Sequence, residues 1–264
     1  MHFKNKIVWI TGASSGIGRQ IAIQLASQKA ILILTSSNEV TLNKLVEILA
    51  LQSKCYALPF DLLKVEKIPE LVNNAIKLEG KIDYIIQSAG ISQRALAEDT
   101  LLEVNRKLME LNFFAPVAIS NAILSHFKKL NSGNITVISS VAGLMGFPLR
   151  SGYAASKHAL KGYFETLQTE LFSSNIKICI VYPGRIDTNI SKNAITGNGT
   201  QYGFTDENNE VGMSVELCAK KIIKGIKNNK KSIIIAKSER LLLWFWWFIP
   251  SLYYKLAFTN GLKK

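Results

Sequence analysis

The chain has 264 residues, enough to build one substantial core. Hydrophobic residues make up 48% and charged residues 19%, which excludes a disordered chain, and 17 glycines and 6 prolines without a period exclude collagen-like order. Lys and Arg total 32 against 19 Asp and Glu, and the formal charge of +13 calls for an acidic partner or surface.

The first element is the apolar run Ile7–Ile10. It stops after four residues at Thr11-Gly12, too short for an export signal, so the chain is expected to start and stay in the cytoplasm. Further short Ile/Val-rich runs follow at 31–34, 56–60, 84–86, 135–138, 176–181 and 233–236, and most intervals have helical spacing, as at Ile17, Ile21 and Leu25. Runs without clear alternation suit strands buried on both faces. The expected fold class is therefore α/β: a doubly wound, Rossmann-type, three-layer fold with a mostly parallel sheet of about seven strands. Residues 1–240 are expected to form the catalytic domain and 241–264 a separate hydrophobic tail. Cys55, Cys179 and Cys218 stand far apart with no CxxC, and His2, His126 and His158 are scattered. This pattern suits a reducing compartment and offers no metal site. Cys179 reads as a buried hydrophobe, and His158 as structural or solvated.

The first strand runs straight into Thr11-Gly-Ala-Ser-Ser-Gly-Ile-Gly18. A strand, a glycine-rich turn and a helix start can bring backbone amides close to a pyrophosphate. The spacing is GxxxGxG, so the ordinary GxGxxG fingerprint misses it. Gly12, Ser14, Ser15, Gly16, Ile17 and Gly18 are the candidate cradle. The second strand ends in Ser36-Ser37 and meets no acid before Glu39. An acid there would bond a ribose 2′-OH and repel a 2′-phosphate. Its absence leans toward NADP, with NAD as the alternative if the serines only cap the turn.

Ser139-Ser140 ends the fifth strand, where a hydroxyl can point into the crevice at the carboxyl end of the sheet. Tyr153 and Lys157 are four residues apart and share a face if helical. A free Tyr titrates near ~10, and a neighbouring cation is expected to bring it toward a useful range. The segment from Asn189 to Met213 is polar and too long for a simple connection, so it reads as a lid or binding loop. Tyr202 and Phe204 in it can close over a substrate or pack within the loop.

The end of the chain is unusual. The 18 residues from Leu241 to Phe258 hold eight of the 24 aromatic residues, behind a run of lysines from Lys220 to Lys237 and Arg240. The apolar part, Leu241–Tyr254, is 14 residues with Pro250 inside. As a helix it reaches ~21 Å, short of the ~30 Å hydrocarbon layer. Trp, Tyr and flanking lysines favour a contact with an anionic membrane surface. The alternatives are a cover over the substrate cleft, a subunit interface, or a true span.

Taken together, these segments resemble the short-chain dehydrogenase/reductase family in its ordinary single-domain form. The resemblance covers residues 3–238 and rests on Thr11–Gly18, Asp61-Leu62, Ser88-Ala-Gly90, Asn112, Ser139-Ser140, Tyr153-xxx-Lys157, Pro183-Gly184 and Thr188. It implies a catalytic set of Asn112, Ser140, Tyr153 and Lys157. Ser140 would orient the substrate, Tyr153 would act as acid/base, and Lys157 would lower its pKa and bond the ribose. Asn112 would hold a water in the proton relay. The resemblance further implies cofactor contacts at Asp61 and Leu62 near the adenine, and at Ala89 and Gly90 near the ribose. Pro183, Gly184, Ile186 and Thr188 would lie by the nicotinamide. The chain departs from the family at Gln87-Ser88, where Asn-Asn is common, and at Ser37, where many NADP-using relatives carry Arg.

The implied activity is reversible hydride transfer between nicotinamide and a carbonyl or secondary alcohol carbon, without a metal. Membrane-associated members with similar tails suggest a lipophilic substrate, and the family suggests a homo-oligomer. A soluble 3-oxoacyl-[acyl-carrier-protein] reductase is the alternative enzyme, though that role does not require the tail. A non-catalytic regulatory or nucleic-acid-binding protein on the same fold is the alternative of another class. No nucleic-acid-binding motif accompanies the charge, so no nucleic-acid partner is expected.

Overall fold

A computed structural model of the chain describes residues 2–204 and 212–262. Seven strands form one sheet in the order β3-β2-β1-β4-β5-β6-β7. They are β1 Ile7–Thr11, β2 Ile31–Thr35, β3 Cys55–Ala57, β4 Tyr84–Gln87, β5 Gly133–Ile138, β6 Ile176–Pro183 and β7 Ser232–Ile235. Every pairing is parallel. The third strand is shorter than the apolar run over 56–60 suggests. The regular strand ends at Ala57, although Leu58 and Phe60 still give their amides to the Leu34 and Ser36 carbonyls, and Pro59 falls on the unpaired edge side.

The helices are α1 Gly16–Ala26, α2 Glu39–Ala50, α3 Ile68–Glu79, α4 Leu102–Met109, α5 Ala115–Lys129, α6 Ser151–Glu170, α7 Val215–Lys227, α8 Glu239–Phe248 and α9 Pro250–Leu262. Asn38 starts α2 by accepting the Thr41 amide at 2.9 Å, and Ser214 starts α7 by accepting the Leu217 amide. Alternate strand residues feed opposite layers. Val8 and Ile10 pack with Leu25, Leu42 and Ile222 of α1, α2 and α7. Ile7 and Trp9 pack with Val72, Ile123 and Phe164 of α3, α5 and α6. Both faces of the sheet are therefore dry, which is why its strands read as continuous apolar runs.

The chain crosses from one half of the sheet to the other between β1 and β4. The loops leaving these two strands part in opposite directions, and a crevice opens at their carboxyl ends. The long helical run Leu102–Lys129 is apolar enough to cross a membrane by composition. Ile119, Ile123 and Phe127 in it are buried against the sheet, so it serves as a core helix.

The tail is two short helices, α8 and α9, of 10 and 13 residues, and neither is long enough to span a bilayer. α8 starts at Glu239, two residues before the boundary expected from the sequence. Leu242, Leu243, Phe245 and Trp246 of α8 and Tyr253 and Ala257 of α9 pack on Val141 and Met145. The Tyr253 hydroxyl donates to the Gly146 carbonyl. Trp244, Trp247, Phe248, Tyr254 and Phe258 remain exposed on the other side.

Candidate active site

Three backbone features shape a dinucleotide cradle. Gly12 has φ 66°, and a Cβ there would lie 2.6 Å from the Ala89 nitrogen, so only glycine lets β1 and the β4 loop touch. A Cβ on Gly18 would lie 2.4 Å from the Gly12 carbonyl oxygen, so α1 can settle directly on the turn. Ser15 caps α1 without a side-chain bond to its amides. Those amides face the crevice and suit a pyrophosphate. Gly12, Ser15, Gly16 and Ile17 line one wall of a cleft that continues past Ala89 and Gly90 to Pro183, Gly184, Ile186 and Thr188.

The remaining candidate cofactor residues divide. Ser37 and Asp61 line a second depression together with Lys64. The Ser36 hydroxyl donates to Ser14 Oγ at 2.8 Å, so these two serines brace each other below the turn. Leu62 turns its side chain into the core, which leaves only its backbone for a ligand.

Ser140, Tyr153 and Lys157 meet on the cleft floor. Ser140 stands at the end of β5 and accepts the Ala142 amide at 3.1 Å, which fixes its hydroxyl at the crevice. Tyr153 is hydrogen-bonded to it. Lys157 sits one turn along α6, gives its Nζ to the Ile138 carbonyl at 2.9 Å, and lies 5.8 Å from the Tyr153 ring centre. A Cβ on Gly90 would come within 2.9 Å of Asn112 Oδ1 and 3.4 Å of Lys157 Nζ, so this position needs glycine for packing alone.

Asn112 is fully buried in a π-helical turn, Glu110–Phe114, between α4 and α5. Its side chain accepts the Ile91 amide and donates to the Ile91 carbonyl and to Ser156 Oγ, at 2.9, 3.0 and 3.0 Å. The side chain is thus spent on structure. Pro116, four residues on, has no N–H for the Asn112 carbonyl. That carbonyl, and not the amide group, is the atom suited to a relay water.

Burial dominates the electrostatics of the Tyr153–Lys157 pair. Burial pushes the Tyr153 hydroxyl above its ordinary pKa, and the opposing influences are the Ser140 hydrogen bond and the charges of Arg150 and Arg94. Burial brings Lys157 itself down to about 8. Burial therefore disfavours the charged form of both groups.

Three contributors have no local sequence signal. Arg94 and Arg150 approach Tyr153 through the pairing of Ala95 with Arg150. Gln93, fully buried, accepts the Gly152 and Tyr153 amides at 2.8 and 3.2 Å and donates to Thr100 Oγ1 at 2.8 Å. It takes the place of a cap for α6, because the Arg150 side chain at the N-cap does not bond the helix amides. Nothing in the sequence hints at this, since Ser151 reads as the cap there, whereas the structure makes it the first helical residue behind Arg150. Gln93→Leu strands two buried donors, and a loss of about 1–3 kcal/mol in denaturant unfolding is expected. Gln93→Glu keeps the acceptor and should recover part of it.

The departure at Gln87-Ser88 is bridged in part, with Gln87 Oε1 left buried and without a partner among the described residues. Gln87 donates to Ser120 Oγ at 2.9 Å, and the Ser88 amide bonds the Thr11 carbonyl. Cys179 is buried, and burial raises its thiol to about 12, so it is a core residue. His158 bonds the Ala154 carbonyl through Nδ1 at 2.9 Å, which makes it structural. In the long loop, the Tyr202 and Phe204 rings pack edge to face, while 205–211 lie outside the described residues.

The fold and the cleft define a class of protein, and comparison with known proteins agrees. The short chain dehydrogenase family model matches residues 6–199. The chain belongs to the short-chain dehydrogenase/reductase family. It is 33% identical over 269 residues to dehydrogenase/reductase SDR family member 7B of Mus musculus, covering all of this chain and 83% of that protein. The Danio rerio protein of the same name is 35% identical over 273 residues, covering all of this chain and 88% of the relative. Among solved structures, a short chain dehydrogenase/reductase from Burkholderia phymatum in complex with NAD superposes with a TM-score of 0.84 at 20% identity, covering 96% of each chain.

Proposed function

We propose that this oxidoreductase transfers a hydride between NAD(P) and the carbonyl or secondary alcohol carbon of a lipophilic substrate, with Ser140, Tyr153, Lys157 and Asn112 as its catalytic set. The observation that carries the reading is the hydrogen-bonded Ser140–Tyr153 pair on the floor of a cleft whose far end is a dinucleotide cradle. A bound nicotinamide supplies or receives the hydride. In reduction, Ser140 and Tyr153 donate to the substrate oxygen, where negative charge grows in the transition state. Tyr153 then gives its proton to that oxygen. Lys157 and a water on the Asn112 carbonyl return a proton to Tyr153. Arg94 and Arg150 stabilise the phenolate between these events.

Lipophilicity is inferred from the wall opposite the cradle, where Val141, Ala142, Phe147 and Ile190 line the cleft. The tail packs on this same wall through Val141, which supports delivery from a membrane surface at the cytoplasmic face. NADP is preferred over NAD in this reading because Ser37, with Lys64 nearby, offers a 2′-phosphate no acid at the end of β2.

The test is a titration of the purified chain with NADPH and NADH, followed by NADPH oxidation over carbonyls from short ketones to steroids, retinal and long-chain 3-oxoacyl thioesters. Tighter NADPH binding, with turnover rising with substrate lipophilicity, is expected. Binding of neither cofactor would sink the proposal.

The pH profile follows from the same groups. Reduction needs Tyr153 protonated and Lys157 charged. Burial raises Tyr153, so it holds its proton through neutral pH, whereas Lys157 loses its charge as pH passes about 8. The kcat/KM for reduction should be flat below that point and fall about tenfold per unit above it. Lys157→Arg should move the falling limb to higher pH.

A further inference from the structure

We propose that Glu239, the first residue of the tail helix α8, is a positioning residue of the nicotinamide pocket, and that its charge favours the oxidised cofactor. The proposal rests on the cofactor reading above. Glu239 is only 4% exposed although it begins the segment that otherwise carries the exposed aromatics. Its Oε1 accepts the Arg185 amide at 2.7 Å and its Oε2 accepts the Lys237 amide at 3.1 Å. One carboxylate thereby clamps the loop after β6 to the segment after β7. A Cβ on Gly184 would lie 2.9 Å from the Glu239 carboxyl carbon, so the carboxylate is seated against that glycine.

Glu239 also lines the cleft itself, on the wall shared by Pro183, Gly184, Ile186 and Thr188. The oxidised nicotinamide ring carries a positive charge that the reduced ring lacks. A carboxylate on that wall attracts the charged ring and is indifferent to the neutral one. A cap residue serving only to start α8 would need no access to the cleft.

The experiment uses the full chain and measures Kd for the oxidised and reduced forms of the preferred cofactor by protein fluorescence. Glu239→Gln keeps the side-chain shape and one acceptor oxygen but removes the charge. Affinity for the oxidised form should fall about five- to tenfold more than for the reduced form. Equal loss for both forms, or none, would overturn the proposal and leave Glu239 a structural clamp. Wild-type protein that binds neither form would overturn the cofactor reading underneath, a result separate from any variant. If the variant does not fold, hydrogen exchange on the wild type decides. Cofactor should slow exchange at residues 237–241 together with 183–188, and a response confined to 183–188 would overturn the proposal.

Discussion

Replacing Tyr153 with Phe is expected to lower kcat for carbonyl reduction by about 10³-fold or more, while cofactor affinity changes little. A positioned general acid contributes about 10²–10⁴ in rate. Tyr153 also donates to the oxygen that becomes negative, so both contributions vanish with one hydroxyl. The ring remains, and it fills the buried space between Val104, Leu108 and Ala154. The variant should therefore fold, and steady-state rates beside a fluorescence titration of cofactor will separate chemistry from binding. Ser140→Ala should fall in the same direction with a smaller loss, because the Tyr153 proton is still present. Turnover of Tyr153→Phe at the wild-type rate would remove the assigned mechanism.

The second large effect concerns the tail. Trp244, Trp247 and Phe248 occupy positions i, i+3 and i+4 of α8, so they share one face. They are 49%, 68% and 69% exposed. Leu242, Leu243, Phe245 and Trp246 on the rest of the helix pack against the body. A helix apolar on all sides belongs in a core or against lipid. Since one side is already packed on protein, the proposed function gives the other to a membrane interface. Changing Trp244, Trp247 and Phe248 together to Gln should weaken binding to vesicles containing phosphatidylserine by at least about 100-fold, since each buried aromatic contributes roughly 1.5–3 kcal/mol. Stability should hardly move, because the three side chains are largely exposed. A co-sedimentation assay and a denaturant melt on the same samples check both points. Unchanged vesicle binding would remove the membrane assignment. Deleting the whole tail is a poorer test. It would uncover Val141 and Met145 and remove Glu239 from the cleft.

The strands were legible because both faces of the parallel sheet are buried, so apolar residues dominate them and even Asn134 and Thr136 of β5 lie inside. The cradle was legible for a related reason. Its contacts are local: Gly12, Gly16 and Gly18 shape a turn within one strand–helix connection, and the spacing alone describes it. Tyr153 and Lys157 lie on one helical face, so their partnership also reads from spacing. The strength of that partnership does not. Burial depth decides it, since burial raises Tyr153 and lowers Lys157, while Arg94 and Arg150 add charge from distant parts of the chain.

The sequence by itself determined the order of strands and helices, the glycine turn and the residue types able to move a proton. These depend on near neighbours in the chain, where a few dihedral angles set the outcome. The tertiary structure alone decided which distant groups surround them. Gln93 reaches the amide of Tyr153 across sixty positions, and Glu239 reaches the amide of Arg185 across 54. It also divided the aromatic tail into a packed side and an exposed side, which composition could not do. Long-range pairs of this kind leave no period in the chain. They arise because a buried amide or carboxylate must find a partner, and the folded topology determines which one is within reach.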